Sequence, residues 1–277
     1  MSHFRIHFLF VAFAAGVCLI LPRRIGWLVA LAIVVASLAG IGGWARLHIS
    51  PGHDGPPPRG DIRVMSFNTW ARNRDLEAMQ GVIARNRPDI VGLVEYLPPK
   101  HEQLPARLKS LLPHAADCVD KPHCYMGLLS RWPIVESRGR SLWEGPPYLY
   151  AKLRAPGGDI HVFVVHTLRF PWARAQLKQI HAMARLIARY REKGPVIIMG
   201  DFNATPFSRI IRDFEKATEL KRLSWLPTWP SWFFGLPQLA IDHVFISRHF
   251  RKVRGPLLGE SAGSDHFPVL LELRAVR

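Results

Sequence analysis

One short segment restricts the fold of this chain more than any other, because it joins a buried strand to two polar side chains at a sharp turn. Residues 196–198, Val-Ile-Ile, have the apolar character of a buried strand, and Met-Gly-Asp-Phe-Asn follows at 199–203. Gly200 permits the turn, and the alternation of side chains puts Asp201 and Asn203 on the same side of the strand end. The segment is also typical of an Asx turn that closes a strand. The other strand ends therefore decide whether it carries chemistry.

Apolar runs of strand length alternate with helical patterns over residues 61–277. Strands are predicted near residues 62–67, 90–94, 125–129, 148–153, 160–165, 196–203, 241–247 and 269–273. Helices are predicted over residues 75–86, 101–112, 172–192 and 207–216. Strands interleaved with helices around one hydrophobic core predict an α/β layered domain.

Two longer apolar runs precede this domain, at residues 4–21 and 25–45. The second is long enough to cross a bilayer as a helix and the first is marginal, so we predict a transmembrane helical hairpin within a membrane anchor at residues 1–49. A signal peptide is the alternative for the first run, but no Ala-x-Ala cleavage site precedes a polar region there. Residues 50–60, rich in Pro and Gly, are predicted to be a linker to the domain at 61–277.

The basic residues that flank the two runs predict their orientation. Arg23 and Arg24 lie in the turn, whereas Arg5 and Arg46 lie at the outer ends. The positive-inside rule then places the turn in the cytoplasm and the outer ends on the other side of the membrane. Residues 61–277 are therefore expected to be extracytoplasmic.

The chain is strongly basic. Its formal net charge is +16, of which residues 1–60 contribute +4, so residues 61–277 carry +12. A domain with this charge attracts polyanions such as nucleic acid, phosphorylated sugars or anionic lipid headgroups. A generic surface on which Arg replaces Lys gives the same charge, so charge alone does not identify the partner.

The cysteines of the domain leave its redox compartment open. Cys118 and Cys124 are separated by five residues in a loop that also contains Pro and His. They would be thiols in a reducing compartment, and they are able to close a small loop in an oxidising one. A zinc site with His114 and His123 is a third possibility, with poor spacing.

Polar residues follow the apolar runs at an unusual number of places. Each has an ordinary explanation alone, as a loop cap, a surface charge or a hydrogen-bonded histidine. Binding sites form at the strand ends along one edge of an α/β sheet. Polar groups clustered there without a function would lose hydration and receive no compensating interaction. The residues are Asn68, Glu95, His166, Asp201, Asn203, Asp242, Asp265 and His266.

Seven segments of the chain, in order, resemble the motifs of the endonuclease/exonuclease/phosphatase superfamily, whose fold is similar to that of DNase I. They lie at 66–68, 89–95, 166–167, 200–203, 228–229, 241–243 and 264–268. The resemblance covers about 61–277, and Gly-Asp-Phe-Asn together with Ser-Asp-His is its most specific part. It implies a four-layer α/β sandwich, with two β-sheets packed face to face and helices outside.

The apolar hairpin and the Pro-Thr-Trp-Pro segment at 227–230 are most similar to the membrane-anchored bacterial members of that superfamily. This resemblance implies a location in the bacterial inner membrane. With the orientation predicted from the basic residues, the catalytic domain at 61–277 is expected to be periplasmic.

The resemblance also implies hydrolysis of a phosphoester assisted by Mg2+ or Mn2+. Glu95 is the expected oxygen ligand of the metal, with Asn68 and Asp265 beside it. The metal would polarise the phosphoryl oxygen and offset charge on the leaving oxygen. Asp201 would orient or deprotonate the attacking water, and Asn203 would position water or phosphate.

The same resemblance assigns roles to the histidines. Asp265 would hold His266 in one tautomer, and His266 would then act either as a base or as a stabiliser of charge. His166 would donate to a non-bridging oxygen as negative charge builds up. Asp242 would orient one of the histidines, for which we predict His166.

Two positions bear on departures from the family pattern. Many relatives have Tyr after the aspartate that corresponds to Asp242, where this chain has His243, a change also common among bacterial members. Some relatives place an Arg or Tyr midway along the chain. No residue of this chain matches that position, although Tyr150 lies near the same region.

Two segments bear on the substrate. The predicted helix at 172–192 carries a basic stripe, which either faces a polyanion or is a solvated surface. The aromatic segment 225–234 is suited to stack on a base, to enter lipid or to pack over the core. We therefore expect nucleic acid or a phospholipid headgroup as the phosphoester substrate, with a phosphomonoester as an alternative.

The partners expected from the sequence are few. The lipid bilayer is the partner of the hairpin, and no obligate protein partner is inferred. A non-catalytic module that only binds a phosphorylated ligand is the rival interpretation. It is disfavoured because all the motif residues are present.

Overall fold

The computed structural model describes residues 5–53, 55, 57, 61–141, 147–169 and 171–276, and these residues form six helices and twelve strands. The helices are α1 (Arg5–Ile20), α2 (Arg23–Arg46), α3 (Leu76–Asn86), α4 (Lys100–Arg107), α5 (Ala173–Arg191) and α6 (Arg209–Thr218). The strands are β1 (Asp61–Asn68), β2 (Ile90–Val94), β3 (His114–Asp117), β4 (Met126–Ser130), β5 (Ile134–Arg140), β6 (Tyr148–Ala155), β7 (Gly158–His166), β8 (Val196–Asp201), β9 (Lys221–Arg222), β10 (Asp242–Ile246), β11 (Phe250–Leu258) and β12 (Val269–Ala275).

The strands form two mixed six-stranded sheets. One has the order β11-β12-β1-β2-β4-β3 and the other β5-β6-β7-β8-β10-β9. The pairs β1–β2 and β7–β8 are parallel, and the other strand pairs are antiparallel. Two packed sheets flanked by helices confirm the predicted four-layer sandwich.

Three apolar layers hold the sandwich together. The central one lies between the sheets and includes Val64 and Ile90 from the first and Val164 and Met199 from the second. The outer layers bury α3 and α4 against the first sheet and α5 and α6 against the second. Alternate residues of β1, such as Val64 and Met65, therefore enter different layers.

Helix ends follow the capping signals of the sequence. Asp75 precedes α3 and its carboxylate accepts from the Ala78 N–H at 2.9 Å. Arg87, in a left-handed conformation, ends the same helix. Ser208 caps α6 by accepting from the Ile211 N–H at 3.2 Å.

Strands β3, β5, β9 and β11 were not predicted, and each lies at or beside the edge of its sheet. Arg251, Lys252 and Arg254 are exposed on β11, and its ladder shifts register twice. Strand β5 alternates half-buried with exposed residues. Charged side chains and bulges are typical of edge strands, and they remove the apolar run that identifies a central strand.

The apolar hairpin is present as the two helices α1 and α2. Of the described helices, α2 contains a stretch, Ile25–Arg46, that is long and apolar enough to cross a membrane, and the apolar part of α1, Ile6–Ile20, is shorter. The helices approach closely at Gly26, where an added Cβ would lie 3.2 Å from the Cys18 Cα.

The C-terminal end of α2 is attached to the domain. The Arg46 guanidinium donates to the Gly235 carbonyl at 3.2 Å, and the Gln238 amide donates to the Leu38 carbonyl at 3.0 Å. Gly42 lies so close to Leu236 that an added Cβ would meet its Cβ at 2.3 Å.

The predicted linker is only partly described, because residues 54, 56 and 58–60 lie outside the described residues. Its first residues lie on the domain rather than free of it. The Ser50 N–H donates to the Leu258 carbonyl at 2.6 Å, and the His53 N–H donates to the Arg85 carbonyl at 2.8 Å.

Cys118 and Cys124 form a disulfide bond, with their Cα atoms 5.4 Å apart. Of the three alternatives left by the sequence, the structure therefore selects the closed loop. A zinc site that uses these two sulfur atoms is excluded, because both are in the disulfide.

Candidate active site

Three adjacent strands of the second sheet end in polar side chains that lie side by side. In the parallel pair β7–β8, His166 lies opposite Asp201, and in the antiparallel pair β8–β10, Asp242 lies opposite Asp201. Asp201 and Asp242 are buried, whereas His166 has 31% of its side chain exposed. Asp201 is therefore the centre of a polar row that opens to solvent at His166.

Gly200 is required for this row. Its φ is +141°, and an added Cβ would lie 2.0 Å from the Val165 carbonyl oxygen. Any other residue would collide with the neighbouring strand β7 and would force an unfavourable backbone conformation. The glycine thus lets β8 run close to β7 and carries Asp201 to the mouth of the sheet.

The first sheet contributes residues from the ends of β1 and β2. Asn68 ends β1 opposite Val94, the last residue of β2, and Glu95 follows directly. The Asn68 amide donates to Asp201 Oδ2 at 3.0 Å and lies 3.4 Å from Glu95 Oε1. This amide therefore links the strand ends of the two sheets.

The carboxamide of Asn68 has a defined orientation. Its Oδ1 accepts from the Trp70 N–H at 3.0 Å, so its NH2 group faces the carboxylates. For Asn68 to be a metal ligand, as predicted, the second lone pair of Oδ1 must be used. In this structure Asn68 positions the carboxylates.

His266 is held by Asp242. Its Nδ1 lies 2.8 Å from Asp242 Oδ2, which also accepts from the Thr228 hydroxyl at 2.5 Å. Our prediction that Asp242 orients His166 is wrong in this structure. The strand β8 lies between β7 and β10, so the ends of those two strands are separated by two strand spacings, about 10 Å.

Asp265 does not hold His266, contrary to our second prediction about the histidines. Its Oδ1 is 3.9 Å from His266 Nε2, which is too long for a hydrogen bond. Its Oδ2 accepts from the Trp229 indole at 3.3 Å. Burial, followed by the charge of Glu95, raises the pKa of Asp265.

Asn203 lies at the rim of the site in a left-handed conformation, with φ of 46°. Its N–H donates to Asp201 Oδ1 at 2.7 Å, and its amide donates to the Thr167 carbonyl at 2.9 Å. Gln176 of α5, which is buried, donates to the Phe202 carbonyl at 2.8 Å. Asn203 is thereby fixed to Asp201, and Gln176 fixes the segment beneath it.

The structure therefore brings all eight predicted polar residues to one edge of the sandwich. Two of them, Glu95 and Asn203, have positive φ, as does the neighbouring Trp70. Such backbone strain costs about 1–3 kcal/mol per residue and is concentrated at functional sites. Glu95 is held by the Ala71 N–H, which donates to Oε2 at 2.6 Å.

Burial shapes the acidity of the carboxylates. Burial, followed by the charge of Asp242, raises the pKa of Asp201. Burial also raises the pKa of Asp265. Burial acts in the same direction on Glu95, but the opposing effects of His166, the Ala71 N–H and Asn68 lower its pKa overall. The surroundings of Glu95 therefore favour its ionised form, whereas those of Asp201 and Asp265 favour the neutral form.

His266 has the opposite response. Burial alone would lower its pKa, but the charge and hydrogen bond of Asp242, with Asp201 and Asp265, raise it. In the metal-free protein these neighbours therefore favour the protonated imidazole. This favours a role in stabilising charge over a role as a base.

Lys100 is a site residue that the sequence analysis missed. It is fully buried, and its ammonium donates to the Trp70 carbonyl at 2.6 Å. Burial lowers its pKa to about 8, while Glu95 and Asp265 act in the opposite direction. Nothing in the sequence distinguishes it from a surface lysine, because its burial depends on the loop after Glu95.

Two residues discussed as family departures lie outside the cluster. His243 is buried, its Nε2 is 2.7 Å from the Ala204 carbonyl oxygen, and burial lowers its pKa to about 4, so it is a neutral structural residue. The Tyr150 hydroxyl is 2.9 Å from His161 Nδ1 in the apolar layer beneath α5. Tyr150 therefore does not supply the missing group of the site.

The residues present fit a divalent cation. Oxygen ligands, mainly carboxylates, are what Mg2+ prefers. Asp265 Oδ1 and Asp242 Oδ1 are buried without a hydrogen-bond partner among the described residues. Asp201, Asp242 and His266 offer atoms within 4.8 Å of one another. Within that trio Asp242 Oδ2 already accepts from Thr228 and is paired with His266, which leaves Oδ1 of this residue for a metal. Glu95 and Asp265 remain the ligands that the sequence predicts.

The fold and this cluster are those of a phosphoester-hydrolase scaffold, and the comparisons with known proteins agree. The Endonuclease/Exonuclease/phosphatase family matches residues 65–266. The chain belongs to this family, whose members hydrolyse phosphoesters and use divalent metals. No curated protein sequence matches the chain.

Solved structures share the fold at low sequence identity. An endonuclease/exonuclease/phosphatase from Beutenbergia cavernae is 23% identical, with a TM-score of 0.59, over 78% of this chain and 72% of that one. Sphingomyelinase C from Streptomyces griseocarneus is 16% identical, with a TM-score of 0.58, over 78% and 99%. A mutant beta toxin from Staphylococcus aureus with bound magnesium ions is 15% identical, with a TM-score of 0.58, over 78% and 100%.

Proposed function

We propose that this chain is a membrane-anchored, divalent-metal-dependent phosphoester hydrolase of the bacterial inner membrane, with its catalytic domain outside the cytoplasm. The observation that carries the catalytic part is the convergence of Glu95, Asp201, Asp242 and Asp265 on one buried, histidine-containing edge. Four carboxylates in one site repel one another and are costly to desolvate, and a divalent cation offsets both effects.

The proposed chemistry assigns a role to each group. Glu95 and Asp265 would hold the cation, with Asn68 beside them. When bound, the cation polarises the phosphoryl oxygen and offsets charge on the leaving oxygen. Asp201 orients the attacking water and accepts its proton, a role that suits a carboxylate whose pKa is raised by burial.

The polar groups around the phosphorus would stabilise the transition state. His266, held as a cation by Asp242, lies beside Asp201 at 3.9 Å and offers Nε2–H to a phosphoryl oxygen. His166, on the open side, donates to a second non-bridging oxygen. Asn203 positions the water or the phosphate from the rim.

A phospholipid headgroup is the second candidate substrate beside nucleic acid, and one observation favours it. The loop that carries Trp229 to the site also presents Trp232 and Phe234, which are 68% and 84% exposed. The same loop is bound to the end of α2 through Gly235 and Arg46. Exposed aromatic rings beside a membrane helix are suited to the lipid interface.

Replacing Glu95 by Gln tests the catalytic proposal. We expect Mg2+ affinity, measured by isothermal titration calorimetry, to fall by about 100-fold or more, because the loss of a group that only supports a ligand already costs roughly 10–100-fold. Hydrolysis of bis(p-nitrophenyl) phosphate should fall with it. The exposed Glu192→Gln variant is the matched control.

Two results would contradict the proposal in different ways. Tight Mg2+ binding that persists in Glu95→Gln would remove Glu95 from the metal site. The unaltered protein would instead be a non-catalytic binding module if it bound metal but hydrolysed none of the phosphoesters tested. These are single- and double-stranded DNA, sphingomyelin and phosphoinositides.

The proposed topology predicts the redox state of Cys118 and Cys124 in cells. After cells are quenched and the protein is denatured, the pair should resist a maleimide until a reductant is added, because a disulfide persists in an oxidising compartment and denaturation exposes both buried sulfur atoms. Protease added to spheroplasts should degrade the domain while a cytoplasmic marker stays intact. Free thiols together with a domain that is cut only after lysis would place it in the cytoplasm.

A further inference from the structure

A large cavity lies where the apolar hairpin meets the domain. Its volume is about 880 Å3, within the range of small-molecule sites. Both helices and three segments of the domain line it. Representative lining residues are Ile6, Phe10, Ile33, Trp44, Phe207 and Leu239.

The wall of this hairpin–domain cavity is suited to an apolar ligand. Three polar side chains of its lining, those of Ser37, Arg222 and Gln238, are engaged within the protein. Arg222 is paired with Glu215 at 2.9 Å, and Gln238 donates to the carbonyls of Leu38 and Leu236 at 3.0 and 2.8 Å. Water or a polar ligand in such a space would lose hydrogen bonds that these groups do not replace.

The cavity also has the length expected for a lipid chain. Its lining on α2 runs from Ile33 to Trp44, and eleven residues of helix rise about 16 Å. This is close to half of the hydrocarbon thickness of a bilayer, about 15 Å. The cavity therefore extends along the helix by the depth of one leaflet, starting from the end attached to the domain.

The surroundings of the cavity indicate where an acyl chain would come from. The outer faces of both helices expose large apolar side chains, such as Phe13 at 63% and Leu28 at 69%. The cavity is continuous with this surface, since Ala36 and Gly40, which line it, are themselves exposed on α2. If lipid covers the hairpin, lipid and not water borders the opening.

We propose that the hairpin–domain cavity binds one acyl chain of a membrane phospholipid from the leaflet next to the domain. The inference rests on the membrane-anchor part of the proposed function and is independent of catalysis. On the domain side, the bound acyl chain would contact residues 205–207 and 239–240. These two segments follow Asn203 and precede Asp242. A bound lipid would therefore lie behind the catalytic edge.

The helix offers a matched pair of variants. Ala36 and Gly40 line the cavity one turn apart, and an added Cβ at Gly40 meets no atom within 4 Å. Ala39 and Gly43 are also one turn apart, do not line the cavity, and Gly43 has the same open surroundings. The double substitution Ala36→Phe/Gly40→Phe adds two phenyl rings at the cavity wall, whereas Ala39→Phe/Gly43→Phe adds the same atoms elsewhere.

The test uses the full chain in phosphatidylcholine nanodiscs that contain a phosphatidylcholine with a diazirine near the end of one acyl chain. After illumination, mass spectrometry should find label on domain peptides that contain Phe207 or Leu239. Labelling of these peptides should fall roughly tenfold or more in the cavity-filling variant, because each excluded methylene removes part of the binding free energy. It should stay unchanged in the control.

The outcomes separate the two proposals. Label on the outer hairpin faces without label on the two domain peptides would overturn the cavity proposal and leave the anchor intact. Undiminished labelling of those peptides in Ala36→Phe/Gly40→Phe would also overturn it. Wild type and both variants should hydrolyse bis(p-nitrophenyl) phosphate at equal rates. Failure of the catalytic proposal, which would appear as no hydrolysis by any of the three proteins, is thereby distinguished from failure of the cavity proposal.

Discussion

Replacing Asp201 by Asn is expected to reduce kcat/KM for a phosphodiester by roughly 10²–10⁴-fold, the usual loss when a general base is removed. The change is nearly isosteric, and the side-chain oxygen that remains can still accept from the Asn68 amide or from the Asn203 N–H. The loss should therefore appear mainly in kcat. Steady-state kinetics with saturating Mg2+ measure it, and Asp120→Asn, an exposed change outside the cluster, is the control.

The same variant has an opposite effect on stability. Burial raises the pKa of Asp201, so the charged carboxylate opposes folding, and metal-free wild-type protein loses stability as pH rises from the ordinary carboxyl pKa of about 4 through the raised value. In EDTA at neutral pH, Asp201→Asn should therefore have a higher Tm than wild type. The difference should shrink in acid, where both side chains are neutral. Full activity, or a lower Tm in EDTA, would count against Asp201 as the buried base.

The residues of the site could be found from the sequence because each motif is local. Gly200 and Asp201 belong to one strand end, and the polar residue is recognisable by the apolar run before it. The central strands were predicted for the same reason, since they are buried on both faces. Strand β11 was missed because its exposed charges suit an edge.

The pairing of the site residues could not be predicted, because it depends on strand order. Asp242 was assigned to His166, but β8 separates their strands, and the sequence does not contain that order. Buried polar residues outside the motifs were missed as well. Gln176 and Lys100 look like surface residues until the helix α5 and the loop after Glu95 are folded.

The pairing that the structure revealed leads to the second large effect. Asp242→Asn is expected to lower kcat by about 10²–10⁴-fold, comparable to the loss when the carboxylate that orients a catalytic histidine is neutralised. The reason is electrostatic. Asp242 is the main group that raises the pKa of His266 against the effect of burial, and Asn keeps the shape without the charge.

The titration of His266 tests this cause directly. In metal-free wild-type protein, the imidazole should stay protonated at about pH 8, well above its ordinary pKa of about 6.5. Its contribution to stability is complete below that ordinary value and is lost only as pH rises through the raised one. In Asp242→Asn, the effect of burial, which lowers the pKa of His266, is no longer offset by the charge of Asp242. NMR of a 13C-labelled imidazole should therefore show deprotonation at a much lower pH.

Thr228→Val separates charge from hydrogen bonding. It removes the hydroxyl that donates to Asp242 Oδ2 but keeps the carboxylate, so His266 should remain a cation and kcat should fall far less than in Asp242→Asn. If both variants lost activity equally while the pKa of His266 stayed high, Asp242 would act by shape and not by charge. Because neither residue is among the proposed metal ligands, Mg2+ affinity should change far less in either variant than in Glu95→Gln, which separates this effect from loss of metal.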